Sequence, residues 1–289
     1  MSILAQQLVL GVMIGGLYGL AAVGLSLVFG VLKVLNVAHG ELIMLGGYGA
    51  FWLFALFGLD PFASLLLVLP LSLLLGLGLY CVLFGFVVRA DEETRVKNSL
   101  LIGFGLALVL HALAVRLWTA DDRSIDTSYA GTSISLGGLS IPLVRLASLA
   151  LAFTLIGGVH LLLKHWRWGQ AIRATAEDWQ AALLTGIDIR RAYHLAFAIG
   201  TGLAGAAGTL LSVGYSINPS IGLEWTLKAL IVVVLAGLGS TFGTFVGGLF
   251  LGVAETVSAA VFGGPYREVV GLVIFVAVLV LRPRGLFGQ

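Results

Sequence analysis

Charge, cysteine and proline are all scarce in this sequence. Of 289 residues, 10% are charged and 59% are hydrophobic, whereas a soluble globular domain has about 25% charged and about 45–50% apolar residues. That scarcity excludes a water-soluble fold and implies an integral membrane protein. The apolar runs are long and do not alternate with period two, which excludes a β-barrel in favour of membrane-spanning helices. One cysteine, Cys81, excludes an internal disulfide and is expected to be a small apolar packing residue. Two of the six prolines carry expectations: Pro61 begins a helix, and Pro70 kinks one.

Several chemistries are missing too. No Lys precedes Ser or Thr anywhere, so no P-loop cradles a nucleotide phosphate. Five scattered His and one Cys lack ligand spacing, so no metal site is expected. Neither G-x-S-x-G nor H-E-x-x-H occurs. Nothing points to an enzyme, a catalytic residue or a cofactor bound by this chain. The net charge of +2 gives no reason to expect nucleic acid as a partner. The first Lys or Arg is Lys33, so the N-terminal run lacks the basic start of a cleavable leader and is expected to be a permanent span.

What is present is about twenty-residue apolar runs, the length that crosses a bilayer. They lie at roughly 8–31, 41–57, 61–88, 98–119, 143–163, 193–215, 226–238, 241–262 and 266–281. The fold class is therefore all-α, a polytopic bundle of about eight or nine segments forming one domain over residues 1–289. Segment 226–238 is short for a full crossing, so with 241–262 it reads as a re-entrant or broken hairpin. Lys and Arg favour cytoplasmic loops. Alternating the segments places Lys33, Arg89, Arg95, Lys97, the five cations of 164–192, Arg282 and Arg284 on one side, eleven of the sixteen. That side is expected to be cytoplasmic, with the N-terminus outside. The loop from about 120 to 142 is then external, a short solvated turn or hairpin.

Three regions interrupt the apolar pattern. Asn36, His39, Gly40 and Glu41 form a polar knot between two apolar runs. Either they cap an ordinary turn, with Glu41 favoured at a helix start, or they form a broken helix along a solute path. A second Gly/Ser/Thr-rich break, Gly237–Gly248, contains Gly239 and Ser240 and leads to Glu255. It suits either a translocation site or close packing through small residues. Glu255 either pairs with Arg267 or points into the bundle. By contrast, Gly205 and Gly208 in Ala204–Gly208 read as a packing face. The third region is the charged stretch 164–192. Gln170–Leu184 is expected to form one amphipathic helix with Ala171, Ala174, Asp178, Ala181 and Ala182 near one face. Glu177 and Asp178 stand within pairing range of Arg173, and Gly186 ends the helix. It is either a solvated loop helix or one that docks in a partner's groove.

Three motifs in order carry a resemblance over essentially the whole chain. GLYGLAAVGLSLVFGVLKVLNVAHGELIMLGGYGAF, GQAIRATAEDWQAALLTGIDIRRAYHLAFAIGTGLAGAAGTL and LVLRPRGLFG resemble the permeases of branched-chain amino acid ABC transporters of the LivH type. The resemblance implies an inner-membrane importer subunit working by alternating access. Its partners would be a second related permease, two cytosolic ATPases that bind the ATP, and an external solute-binding protein. It implies that Gln170–Gly186, with Gln170, Arg173 and Asp178, is the coupling segment resting on an ATPase. Glu177, Ala181, Ala182 and Gly186 lie nearest the EAA-type pattern. Asn36, His39, Gly40 and Glu41 match the family's Asn-x-Ala-His-Gly motif, which urea-type permeases share. The rival class is a channel or secondary transporter needing no ATPase.

Overall fold

A computed structural model describes residues 2–136, 138–237, 239–282 and 285–287. Arg284, one of the expected cytoplasmic cations, lies outside them, as does Leu238 of the second glycine-rich break. The helices are α1 (Ser2–Leu32), α2 (His39–Phe57), α3 (Pro61–Leu79), α4 (Gly85–Val87), α5 (Glu92–Trp118), α6 (Leu143–His165), α7 (Arg167–Glu177), α8 (Trp179–Leu184), α9 (Ile189–Ser212), α10 (Ile221–Ala236), α11 (Thr241–Phe262) and α12 (Tyr266–Leu281). A π-helical turn, Tyr80–Phe84, joins α3 to α4. The hairpin β1 (Ser133–Leu136) and β2 (Leu139–Pro142) lies in the expected loop. Seven helices are long and apolar enough to cross a membrane. α10 and α12 have 16 residues each, about 24 Å at 1.5 Å per residue.

Local chemistry sets the helix ends. Asp60 accepts from the Phe62 N–H at 2.8 Å and holds Pro61 at the first position of α3, where the missing proline N–H costs nothing. Pro70 sits inside α3 without ending it. Asp91 caps α5 through the Thr94 N–H at 3.1 Å, and that bond holds its exposed carboxyl below the usual carboxylate range. α5 thus begins six residues before the apolar run does. Cys81 corrects an expectation: it is exposed on the π-helical turn, not packed in the core.

The bundle has two ends. One carries α7 and α8 and is called proximal here; the other carries the hairpin and is called distal. α1 runs from distal to proximal and α11 runs back along it. A methyl on Gly15 would overlap the backbone of Gly248 and Leu249, and one on Gly252 would overlap Gly15. Farther along, Ser26 and Thr244 hydroxyls meet at 3.0 Å, and Gly30 lies on Gly239. The two backbones therefore touch along nearly the whole helix, as small residues permit. Gly205 and Gly208 do the same for α9, packing on Gly46 and Ile43 of α2; the packing reading of Ala204–Gly208 holds.

α1 ends at Leu32, and Lys33 adopts φ 53°, in the left-handed region. Residues 33–38 then run back into the bundle without helix. Their polar backbone is satisfied by α5: Ser99 Oγ accepts from the Leu35 N–H at 3.0 Å, and Arg95 donates to the Leu32 carbonyl at 3.2 Å. Arg95 is thus a buried structural cation, 9% exposed, rather than a solvated loop charge. A left-handed lysine is strained by about 1 kcal/mol, which glycine avoids. Lys33→Gly is expected to raise the thermal midpoint of the purified protein; an unchanged or lower midpoint would show that the strain is absent.

Candidate functional site

The polar knot lies deep in the bundle. Asn36, His39 and Glu41 are 2%, 1% and 3% exposed. Asn36 Oδ1 accepts from the Ala38 N–H at 3.1 Å, folding the chain into the first turn of α2. His39 Nε2 lies 2.8 Å from the Ala21 carbonyl oxygen. Ala21 is eleven residues back from Leu32, roughly 16 Å along α1 by helical rise. α2 therefore starts inside the bundle, and the reading of the knot as an ordinary turn at the membrane face does not fit. Its N-terminus is held by α10. Thr226 Oγ1 accepts from the Gly40 N–H at 2.9 Å, and a methyl on Gly40 would overlap the Gly222 carbonyl. The Glu41 carboxyl sits over Gly222, and its buried Oε2 has no hydrogen-bond partner among the described residues.

A second polar group surrounds Glu255, which is fully buried. Lys228 Nζ donates to its Oε1 at 2.5 Å. Tyr18 Oη donates to Oε2 at 2.8 Å, and Arg267 Nε approaches the same oxygen at 3.3 Å. Arg267 also donates to the Tyr18 hydroxyl at 3.2 Å. Both alternatives for Glu255 are therefore realised: it points inward and it meets Arg267. Lys228 is corrected from an external loop cation to an intramembrane partner, because it lies on the buried face of α10.

Gly239 and Ser240 stand apart from both groups. Gly237 and Gly239 adopt φ 98° and 94°, and Ser240 Oγ caps α11 through the Gly243 N–H at 3.1 Å. At this proximal corner Leu286 and Phe287 donate backbone bonds to Leu235 and Ala236, both at 2.9 Å. The break is a tight junction between two antiparallel helices.

The charged stretch differs from the single helix expected. Asp178, at φ −151° and ψ 103°, ends α7 and caps α8 through the Gln180 and Ala181 N–H groups at 2.9 and 3.1 Å. A capping aspartate competes for the backbone bonds that would carry one helix through. The expected common face is therefore broken. Gly169, Ile172 and Thr175 are the buried positions of α7, while Gln170, Arg173 and Glu177 are exposed. Among the described residues Arg173 forms no salt bridge with Glu177 or Asp178. On α8, Ala181 is exposed but Ala182 is 4% exposed and faces inward. Gly186, at φ 84°, ends α8 as expected. Its N–H bonds to the Leu183 carbonyl at 3.0 Å, and the Ile187 N–H to the Ala182 carbonyl at 3.1 Å, the paired bonds of a Schellman end.

Two features of this end escaped the sequence reading. Trp179, Leu183 and Leu184 are 45%, 55% and 89% exposed, giving α8 an apolar outer edge. Behind it lies a cavity of about 870 Å³ whose walls include Lys33, Arg89, Arg95, Glu177 and Asp178. Three of the expected cytoplasmic cations, from two separate loops, thus meet the charged stretch at one end of the bundle. Also unforeseen were the roles of Tyr18, Thr226 and Lys228. A lone lysine in an apolar run was the available signal, since an intramembrane charge needs a partner.

The chain matches the family described as branched-chain amino acid transport system / permease component over residues 7–280. It is 34% identical to the high-affinity branched-chain amino acid transport system permease protein BraD of Pseudomonas aeruginosa, covering 98% of this chain and 95% of that one. It is 31% identical to the corresponding LivH protein of Escherichia coli K12, with the same coverage. A probable branched-chain amino acid transport permease protein LivH of Methanocaldococcus jannaschii is 29% identical, covering 93% of this chain and 88% of that one.

Proposed function

This chain belongs to the family of permease components of branched-chain amino acid transport systems, and from that premise we propose that it is the membrane-spanning subunit of an ABC importer for those amino acids. It pairs with a second, related permease. Two ATPases dock on its proximal, cytoplasmic end, and a solute-binding protein delivers at the distal, external end. The N-terminus is then outside. ATP is bound by the partners, and this chain supplies the path.

The observation that carries the reading is the construction of α7 and α8. The α8 edge offers Trp179, Leu183 and Leu184 to a partner, while α7 is anchored in the bundle. Ile172 is fully buried in one cluster with Leu27, Val28, Val31 and Leu32 of α1 and Ala192, Ala196 and Phe197 of α9. Gly169 lies directly on the Leu162 and Leu163 backbone of α6. Force on α8 therefore reaches α1 and α9 through close-packed atoms, which do not yield like a liquid. These two helices hold the knot: Ala21 accepts the His39 contact, and Gly24 touches Gly200 beside it. Closure of the ATPases rocks α1 and α9 and changes access to a path that includes Asn36, His39, Gly40 and Glu41.

Leu184 tests the docking. A carboxylate at an apolar anchor of an interface costs about 2 kcal/mol or more, roughly a 30-fold loss. In proteoliposomes holding both permeases and the ATPases, Leu184→Glu is expected to cut ATP-driven leucine uptake by about that factor. Glu177→Lys is expected to act in the same direction. Leu184 is 89% exposed, so insertion and folding stay normal. Full coupled uptake by both variants would overturn the docking role. A bulky residue at Ala182 is a poorer probe, because it would unseat α8 itself.

A further inference from the structure

The distal end holds a cavity of about 320 Å³ reaching down to the Glu255 cluster. That is at the lower end of the roughly 300–1,000 Å³ of small-molecule sites. Its floor includes Tyr18, Lys228 and Arg267, its apolar wall includes Leu211 and Trp225, and Glu224 stands in its rim.

The charges of this cavity do not balance locally. Lys228 and Arg267 bring two positive charges to a single carboxylate, Glu255. One cation is left over. The Lys228 side chain is 9% exposed and the Arg267 side chain 34%, so solvent reaches the arginine and hardly reaches the lysine. An intramembrane charge kept without its counter-ion marks a ligand position. Glu224 is exposed and forms no salt bridge among the described residues. It stands four residues before Lys228 on α10, the spacing at which helix side chains are neighbours. Lys228 turns instead to Glu255, which leaves a carboxylate at the rim and a surplus cation at the floor, about one helical turn apart. Between them lies the aromatic and aliphatic wall.

We propose that this cavity is the first intramembrane binding site for the imported solute, a zwitterionic amino acid with an apolar side chain. The solute carboxylate takes the guanidinium of Arg267, the ammonium faces Glu224, and the side chain lies on Trp225 and Leu211. This rests on the importer reading above and assigns a place that the knot residues do not supply. Arg267 is the group that turns, because Lys228 keeps Glu255 neutralised when it does. A charge-assisted bidentate pair suits a guanidinium better than an ammonium.

Ser220 on the same rim gives a direct probe. In the complete complex carrying Cys81→Ser and Ser220→Cys, a polar thiol reagent is applied from the distal side. Millimolar leucine is expected to slow labelling, whereas leucinamide, without the carboxylate, and 4-methylpentanoate, without the ammonium, leave it fast. Arg267→Gln is expected to weaken the leucine protection about tenfold, the effect of losing one charge-assisted hydrogen bond, and Arg267→Lys to restore part of it. A complex that imports leucine yet shows no leucine protection overturns the cavity proposal and spares the importer reading. Equal protection by leucinamide overturns the carboxylate assignment. A wild-type complex that imports no branched-chain amino acid overturns the importer reading itself.

Discussion

Glu255→Leu is expected to lower the stability of the bundle more than any other single loss of a side chain. The substitution removes the carboxylate that Lys228 meets and takes the acceptor from the Tyr18 hydroxyl. Breaking a buried pair by deleting one partner costs about 3–5 kcal/mol. A lysine left alone near a membrane centre costs about 2.5–3.5 kcal/mol on insertion scales. The two figures describe the same loss and are not added. Arg267 contributes little to it, because its partly exposed guanidinium reaches water. The check is the thermal midpoint of the detergent-purified permease, with Lys228→Met alongside. In the double variant Lys228→Met/Glu255→Leu most of the loss is expected to return, since an apolar pair replaces an ion pair at little cost. A double variant no more stable than Glu255→Leu alone rejects the charge argument.

Gly208→Leu is expected to separate α9 from α2, with loss of uptake as well as of stability. A methyl at Gly208 already overlaps the Ile43 carbonyl and reaches the Gly47 N–H. These are backbone atoms, so no side chain can turn aside. Overpacking a tight interface costs about 1–3 kcal/mol or more, and a leucine adds three carbons beyond the overlapping methyl. α2 must shift, and its first residue is His39. The knot moves with it. Gly105 and Gly157, where an added methyl would meet no atom of the described residues within 4 Å, serve as controls. Gly105→Ala and Gly157→Ala are expected to fall within about 1 kcal/mol of wild type, on the favourable side, by helix propensity. A Gly208→Leu protein with normal uptake and midpoint would show that the two helices do not depend on this contact.

Periodicity, caps and Gly/Pro placement carried the helix inventory. Pro61 after Asp60 and Gly186 after Leu184 mark ends that the structure keeps, because capping chemistry is local. What failed was whatever depends on depth or on distant partners. The run Lys33–Ala38 looks like a surface turn, since nothing within it shows that Ser99 and Arg95 will satisfy its backbone from another helix. Asp178 looks like one more polar position of an amphipathic helix until its side chain is seen to cap the next one. Lys228 and Glu255 are 27 residues apart, and alternation of loops assigned the lysine to solvent. A stricter rule of charge matching inside apolar runs would have paired them. The knot was legible as an interruption, but its position halfway along α1 was not.

The pairing of α1 with α11 has a consequence for biogenesis. The glycine face of α1 at Gly11, Gly15 and Gly19 is completed by Gly248 and Gly252. During synthesis the first helix therefore enters the bilayer with its backbone-thin side open to lipid, and it waits there until roughly two hundred further residues have left the ribosome. Contacts so far apart in the chain form late. Nascent chains arrested before Thr241 should accordingly keep α1 accessible to lipid-phase crosslinkers, and release past Phe262 should close it.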